Sequence, residues 1–206
     1  MSHDVRIRPI SPEDWDGIVA LEAGAYTALG LSEERDALES RVRASPATCF
    51  ALDAGQGPVG YALAGYVLAL PYPEHGYPDL TRAEETTTAA PHDRGDGRNG
   101  RDRGDRNLHL HDLVIDERLR GRGLARTLLR HLLATARSEG YERISLIAVN
   151  GSDTFWAANG FAPHEGVAPE EGYGPGAVYM SRAVPDVPDA PAVPDVPPVP
   201  GQDEVS

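Results

Sequence analysis

The chain has 206 residues, of which 40% are hydrophobic and 25% charged, enough to bury the core of one domain. Its 32 acidic and 19 basic side chains give a net charge of -13 and lysine is absent, which argues against a generic nucleic-acid-binding protein because such proteins need surplus positive charge. The single cysteine, Cys49, excludes an internal disulfide framework and a cysteine-rich zinc site.

The first half of the sequence predicts two helices and three strands. Residues 4–10 alternate apolar and polar side chains like a strand, and residues 11–14 (Ser-Pro-Glu-Asp) are typical of a helix start. A second helix is predicted over residues 31–44. Two apolar runs, at residues 48–53 and 59–70, flank a turn that contains glycine and proline, and they predict a hairpin.

The second half continues this alternation. Residues 108–115 read as a strand, and residues 123–137 read as a helix with leucines at i, i+4 spacing. A strand is predicted over residues 143–149, a short helix over residues 152–159 and a last strand over residues 176–182. Strands that alternate with helices predict an α/β (α+β) domain with a mixed sheet.

Two segments differ in composition from this domain, which is predicted to span residues 1–182. Residues 72–107 are rich in Gly, Arg, Asp and Thr and lack apolar periodicity, so we predict a flexible insertion. Its Arg–Gly tract has interleaved aspartates and no aromatic residue to stack on a base, which argues against nucleic acid as a partner. Residues 183–206 contain a proline every two or three positions and five acids without a base, which predicts a disordered tail.

The sequence also lacks the pattern of a targeting or membrane segment. Its most apolar stretch, residues 59–70, is short and interrupted by glycine, and Asp4 precedes the first apolar run. We therefore expect a cytoplasmic protein with no membrane partner.

The most informative segment joins a strand to a helix through a turn that contains glycine. Residues 108–115 are followed after a short link by Arg120-Gly-Arg-Gly-Leu-Ala125. The first N–H groups of a helix lack intrahelical partners, and Gly121 and Gly123 allow a phosphate to approach the backbone, so we predict a pyrophosphate-binding turn. The absence of lysine excludes a P-loop, and Arg126 stands where a dinucleotide fingerprint needs its third glycine.

Three motifs occur in a defined order along the chain. Residues 120–125 contain the pattern R-x-x-G-x-A, residues 113–115 form the end of a strand, and residues 155–161 read Phe-Trp-Ala-Ala-Asn-Gly-Phe. Together they resemble the signature, the pantetheine-pairing strand and the closing segment of the GNAT superfamily of acetyl-CoA-dependent N-acetyltransferases. The resemblance implies the GNAT fold, a mixed central sheet splayed between strands 4 and 5 and flanked by helices, with acetyl-CoA in the splay.

The resemblance also implies which residues contact acetyl-CoA. The main chain of residues 122–125 would bind the pyrophosphate, and the main chain of Leu113 and Ile115 would hold the pantetheine. No histidine spacing typical of a metal site is present, so no metal is expected. The predicted cofactor-binding residues are Leu113, Val114, Ile115, Arg120, Gly121, Arg122, Gly123, Leu124, Ala125, Asn150 and Trp156.

Acetylation of an amine needs a base that removes the ammonium proton. His109 and His111 are two apart on a predicted strand, so we expect them on one face, continued by Leu113 and Ile115, with Asp112 on the opposite face in a structural role. Histidine is suited to this chemistry at neutral pH. The His-Leu-His segment also resembles the pair that relays the amine proton in arylalkylamine N-acetyltransferases. The alternative is that one or both are structural histidines.

The departing thiolate must be protonated or stabilised. The acid of the family is a tyrosine four residues before the glycine of the closing Gly-Phe, and this chain has Trp156 there. We predict that Tyr173 replaces it, with Tyr179, or hydrogen bonding and water alone, as alternatives. Cys49 lies in an apolar strand without basic neighbours, so we predict an inert thiol and direct transfer rather than an acetyl-cysteine intermediate.

The sequence therefore predicts an N-acetyltransferase that moves acetyl from acetyl-CoA to a primary amine in a ternary complex. The acidic balance suits a small cationic amine as the acceptor. Two alternatives stay open: a protein or peptide N-acetyltransferase, and a non-catalytic acyl-CoA-binding module. A homodimer is compatible with the resemblance, because dimers are common in the family.

Overall fold

The computed structural model describes residues 4–55, 60–84, 106–167, 169 and 171–185. The strands within these ranges are β1 (Val5–Pro9), β2 (Phe50–Gly55), β3 (Tyr61–Pro71), β4 (Asn107–Ile115), β5 (Arg143–Ala148), β6 (Ala162–Pro163) and β7 (Val178–Ala183). They form one sheet in the order β1-β2-β3-β4-β5-β7-β6. Only the pairing of β4 with β5 is parallel among these strands, so the predicted mixed sheet is confirmed.

Helices cover both faces of the sheet. They are α1 (Trp15–Tyr26), α2 (Arg35–Ala44), α3 (Leu124–Ser138) and α4 (Asp153–Ala157). On one face Leu128 of α3 packs in a core with Leu108 of β4, and on the other Ile18 of α1 and Leu38 of α2 pack in a second core with Tyr66 of β3. None of the helices in the described part of the chain is long and apolar enough to span a bilayer.

β4 and β5 pair only where they begin. Three residue pairs join Asn107–His109 to Arg143–Ser145, whereas β4 continues to Ile115 and β5 continues to Ala148. Beyond His109 the two strands are no longer paired with each other, and we call the gap between their unpaired ends the cleft. This is the splay that the resemblance implied.

β4 contains a bulge at His111. The register between β3 and β4 shifts at Leu68 and Ala69, which pair with Asp112 and Leu110 respectively, so His111 is an extra residue in β4. A bulge interrupts the alternation of side chains between the two faces of a strand. The side chains on either side of His111 therefore do not follow a simple period of two.

The predicted insertion begins as an ordered segment. Residues 72–84 run along the domain, with Pro78 buried and the Tyr77 ring packed edge-on against Tyr173 at a centroid distance of 5.5 Å. Aromatic and proline side chains give this part enough apolar surface to pack. The sequence predicted flexibility for the whole insertion because the composition of its later, Gly- and Arg-rich part dominated the composition of the segment.

The last strand continues past residue 182, where the domain is predicted to end. β7 continues to Ala183, and Val184 is buried in the core on the α3 face. The predictions for residues 85–105 of the insertion and for residues 186–206 of the tail lie outside the described residues.

An ion pair joins the first strand to the start of the first helix. Arg8 of β1 donates to both carboxylate oxygens of Asp14, at 2.6 and 2.7 Å, and the Ser11 N–H donates to the same carboxylate at 2.7 Å. The hydrogen bonds from Arg8 make the largest contribution to a lowering of the pKa of Asp14 from its ordinary 3.8 to about 2. The ionised carboxylate is therefore more stable in the folded chain than in the unfolded one.

We expect Asp14→Asn to lower the free energy of unfolding by about 2 kcal/mol at pH 7, as the lowered pKa implies. A carboxyl group with a lowered folded-state pKa stabilises fully above its unfolded pKa of 3.8 and loses that effect as the pH falls toward about 2. Urea unfolding should therefore show a smaller difference from the native chain near about pH 3 than at pH 7. The control Asp16→Asn, which removes an exposed carboxylate nearby, should cost less than about 0.5 kcal/mol, and equal losses in both variants would contradict this account.

Candidate active site

His109 lies at the point where β4 and β5 separate, and its side chain is almost fully buried. Its Nδ1 lies 3.0 Å from the Ser145 Oγ, and its ring stacks on the ring of Tyr179 at a centroid distance of 6.5 Å. Burial lowers the pKa of His109 well below its ordinary value, and the charges of His111 and Arg41 act in the same direction. His109 is therefore a neutral imidazole at neutral pH.

His111 forms a buried pair with Glu33. The His111 Nε2 hydrogen-bonds the Glu33 carboxylate, and both side chains are 3% exposed. Burial acts to raise the pKa of Glu33, but the hydrogen bonds and charges of His111 and Arg41 lower it on balance. The ionised carboxylate holds the proton of a neutral imidazole on Nε2, which leaves Nδ1 as the nitrogen that can accept a further proton.

Glu33 is a candidate that the sequence reasoning missed. It lies in a Ser-Glu-Glu-Arg run at the start of α2. Acidic residues are common there because the helix dipole favours negative charge at a helix N terminus. The buried Glu22 of α1 places it by accepting hydrogen bonds from the Ser32 Oγ at 2.6 Å and from the Glu33 N–H at 2.8 Å. No local signal distinguishes Glu33 from Glu34, because its partner His111 lies 78 positions further along the chain.

The expected arrangement of side chains on β4 is wrong beyond His111. Leu113 and Ile115 pack against the core on the α3 face rather than continuing the face of the histidines. Asp112 lies on the His111 side rather than opposite, since one ligand atom each of Glu33, His111 and Asp112 lies within 4.8 Å of the others. The prediction assumed strict alternation, and the bulge at His111 breaks it.

The group formed by Glu33, His111 and Asp112 is of a type that can bind a metal ion. Asp112 accepts a hydrogen bond from the Tyr66 hydroxyl at 3.0 Å, and burial raises the pKa of Asp112. The guanidinium of Arg41 already binds the Glu33 carboxylate. A metal ion bound to that carboxylate would therefore lie beside a fixed positive charge. The arrangement is therefore better suited to moving protons than to holding a metal.

Tyr173 and Tyr179, the two tyrosines considered as acids, use their hydroxyl groups differently. The Tyr173 hydroxyl donates to the Pro78 carbonyl, and burial raises the pKa of Tyr173. Tyr179 is fully buried beside His109, and its hydroxyl oxygen accepts the His75 N–H at 3.0 Å. That contact uses the oxygen of Tyr179 and leaves its proton for another acceptor.

The predicted phosphate turn has the backbone geometry of an anion site. Gly121 and Gly123 have φ angles of 76° and 79°, in the left-handed region that favours glycine, and a Cβ at either position would meet no atom within 4 Å. α3 begins directly after Gly123 with no side-chain cap and no acid in its first turn. The N–H groups of residues 122–125 therefore lie at an open, positively polarised helix end. These residues fit a pyrophosphate group.

The remaining predicted cofactor residues beside this turn lie in β4, in the link that follows it and in the first turn of α3. Leu113, Val114 and Ile115 belong to the part of β4 that no longer pairs with β5. Arg120 is exposed, and its Nε donates to the Ile115 carbonyl at 3.4 Å. In the first turn of α3, Leu124 is buried and Ala125 is half-buried.

Asn150 and Trp156 lie beyond the end of β5. Asn150 is exposed and has a left-handed φ of 52°, at the turn between β5 and α4. Trp156 is 8% exposed and packs edge-on against Phe161 at a centroid distance of 5.4 Å. Most of the Trp156 indole therefore contacts protein rather than the cleft, and its predicted role toward the cofactor stays a prediction.

Cys49 does not have the properties of a nucleophile. It is fully buried, and its Sγ lies 3.5 Å from the Ala69 carbonyl oxygen. Burial raises the pKa of Cys49 to about 12, so its thiolate is scarce at neutral pH.

The chain is similar to known proteins over most of its length. The profile of the acetyltransferase (GNAT) family matches residues 15–161. Among solved structures, the chain is similar to Ard1 from Thermoplasma volcanium, with 15% identity and a TM-score of 0.59 over 87% of this chain and 97% of that one. The ribosomal-protein-S18-alanine N-acetyltransferase from Escherichia coli is 14% identical, with a TM-score of 0.55 over 88% of this chain and 94% of that one.

A third similar structure is N-acetylglutamate synthase from Neisseria gonorrhoeae, in complex with coenzyme A and N-acetyl-glutamate. It is 19% identical with a TM-score of 0.58, over 89% of this chain but only 36% of that one. At these identities the similarity shows a shared fold. A comparison with curated protein sequences gives no match.

Proposed function

The chain belongs to the GNAT acetyltransferase family, and we propose that it transfers the acetyl group of acetyl-CoA directly to the primary amine of a small cationic acceptor. The observation that carries the proposal is the buried His111–Glu33 pair, which lies at the bulge of β4 beside the cleft. An imidazole oriented by a carboxylate is a proton acceptor of the kind that amine acetylation needs.

The residues around the cleft supply a binding site for acetyl-CoA. The N–H groups of residues 122–125 would hold its pyrophosphate, and the main chain of Leu113 and Ile115 would hold its pantetheine arm. When bound, acetyl-CoA supplies the activated acetyl thioester. The buried and weakly nucleophilic Cys49 supports direct transfer without an enzyme-bound acetyl group.

In the proposed reaction the Nδ1 of His111 takes a proton from the acceptor ammonium, and Glu33 stabilises the imidazolium that forms. The free amine would then attack the thioester carbonyl, and the new amide bond would replace the C–S bond of acetyl-CoA. The nitrogen loses a second proton as the amide forms, and this proton would neutralise the thiolate of the departing coenzyme A. His109 stays neutral, and we assign it a positioning role through its contact with Ser145. Tyr173 and Tyr179 are both candidates for protonation of the thiolate, and the Tyr173 hydroxyl would first have to release the Pro78 carbonyl.

The size of the acceptor is inferred from the ordered start of the insertion. Tyr77 and Pro78 contact Tyr173, and His75 contacts Tyr179, so residues 75–78 pack against two side chains on one side of the cleft. An extended peptide would need that side to be open, so this contact favours a small acceptor. The aromatic rings and the net charge of -13 favour a cationic one.

Two other functions have specific support. A protein or peptide N-acetyltransferase is supported by the similar fold of the ribosomal-protein-S18-alanine N-acetyltransferase. A non-catalytic acyl-CoA-binding module is supported by Trp156, which stands where the family has its tyrosine.

Release of thiol from acetyl-CoA, measured with arylalkylamines, polyamines, aminoglycosides and short peptides, tests the proposal. We expect turnover with one class of small amine and none with peptides. Turnover with peptides alone would show that the acceptor is a peptide rather than a small amine. Binding of acetyl-CoA without thiol release would support the acyl-CoA-binding module. A comparison of the Tyr173→Phe and Tyr179→Phe variants in the same assay distinguishes the two candidate acids.

A further inference from the structure

A buried arginine connects the Glu33–His111 pair to the ordered start of the insertion. The Arg41 side chain of α2 is fully buried and donates through Nη2 to the Glu33 carboxylate. Through Nη1 it donates to the Glu84 Oε1 at 2.8 Å, and the Asp79 carbonyl lies 3.4 Å from its Nη2. One guanidinium therefore bridges two carboxylates that come from different parts of the chain.

Glu84 is fixed in this position by contacts on both its main chain and its side chain. Its N–H donates to the Ser40 Oγ at 2.8 Å, and its Oε1 accepts from the Tyr72 hydroxyl at 2.9 Å as well as from Arg41. Its side chain is 17% exposed. The Arg41–Glu84 pair is therefore mostly buried, and salt screens it less than a surface ion pair.

The charges of this cluster do not balance while His111 is neutral. Glu33 and Glu84 contribute two negative charges, and Arg41 contributes one positive charge. A proton on His111 would supply the missing positive charge. The Nε of Arg41 has no hydrogen-bond partner among the described residues, so this buried cation depends on its two carboxylates.

We propose that Arg41 is a positioning residue for the Glu33–His111 pair and that Glu84, through Arg41, increases the affinity of His111 for a proton. The negative charge of Glu84 partly compensates the positive charge of Arg41. The negative charge of Glu33 is therefore less neutralised by Arg41, and Glu33 attracts the imidazolium of His111 more strongly. The inference rests on the proposed function in one respect, namely that His111 is the proton acceptor.

Other titratable groups also surround His111 and its partners. Glu22, Asp112 and Glu33 share the same buried region, and burial raises the pKa of Glu22 and Asp112. The groups that face His111 or its partners are Glu22 and Tyr26 of α1, Tyr66 of β3, His109 and Asp112 of β4, and, around Arg41, Tyr72, Asp79 and Tyr173. All of them stay unchanged in the variants below.

The test is an NMR titration of His111 in the full chain labelled with 13C,15N-histidine, in which His111→Gln identifies the resonance. We expect Glu84→Gln to lower the titration midpoint by about half a pH unit or more, because a negative charge that favours the imidazolium is lost. Arg41→Met should raise the midpoint, because a positive charge is lost. Glu39→Gln is the matched control, because it removes the same charge from a surface pair of α2 and should leave the midpoint unchanged.

A midpoint that moves no further in Glu84→Gln than in Glu39→Gln would overturn the inference, even if the Arg41→Met variant does not fold. The pH dependence of kcat/KM, measured with the acceptor found in the thiol-release assay, separates the inference from the proposed function. The relevant part is its acid limb, the fall in kcat/KM as the pH decreases. If the midpoint and the limb shift together, both stand. If the midpoint shifts while the limb stays, the charge link stands and His111 is not the base.

Discussion

Replacement of His111 by glutamine should lower kcat/KM for acetyl transfer by about 10²- to 10⁴-fold, the usual contribution of a general base. Glutamine can still donate a hydrogen bond to the Glu33 carboxylate, so the buried pair keeps one contact. It cannot accept the ammonium proton, so the reaction loses its proton acceptor. Steady-state rates measure the loss, and calorimetry should show acetyl-CoA affinity within about twofold of the native chain, because His111 is assigned to the acceptor rather than the cofactor.

His109→Gln is the matched control for this prediction. It makes the same change two positions away on β4, in a side chain that is neutral and bonded to Ser145. We expect a loss of about tenfold or less, because His109 orients neighbours and does not take the proton. A strongly impaired His109 variant beside an active His111 variant would reverse the two roles.

Gly123→Glu should abolish measurable binding of acetyl-CoA, a loss of at least about 100-fold. A side chain at a φ of 79° strains the backbone by roughly 1 to 2 kcal/mol. The new carboxylate would also lie at the N terminus of α3, where the turn is proposed to hold the pyrophosphate, and repel it. Isothermal titration calorimetry with acetyl-CoA measures the effect directly.

Two variants separate strain from charge in that experiment. Gly123→Ala adds the strain without the charge and should weaken binding much less. Gly140→Glu adds both at the far end of α3, at a φ of 82° with no atom within 4 Å of its Cβ, and should leave binding unchanged. Equal loss in Gly140→Glu would indicate damage to the helix rather than to the turn.

The fold was predictable because its signals are local. The apolar spacing of α3 appears within fifteen residues, and the hairpin of β2 and β3 follows from two apolar runs beside a turn. The glycines of residues 120–125 likewise predict a turn with positive φ, which the structure has at Gly121 and Gly123. The family and the splayed sheet could therefore be anticipated.

The group proposed to handle the proton was harder to predict from the sequence, because it depends on contacts between distant segments. Glu33 meets His111 across 78 positions, and Arg41 meets Glu84 across 43. The bulge at His111 arises from the register between β3 and β4, which the composition of β4 does not reveal. The face assigned to Asp112 was wrong for that reason.

The short pairing of β4 with β5 has a consequence for the whole sheet. Three residue pairs join them, whereas β5 and β7 share six, so the sheet consists of two main-chain-bonded halves with a narrow seam. α3 packs against strands of both halves, and apolar packing lacks the strict directionality of a hydrogen-bonded ladder. The relative placement of the halves therefore depends largely on the packing of α3 rather than on strand pairing. Substitutions on the buried face of α3 would alter the width of the cleft from the back of the sheet.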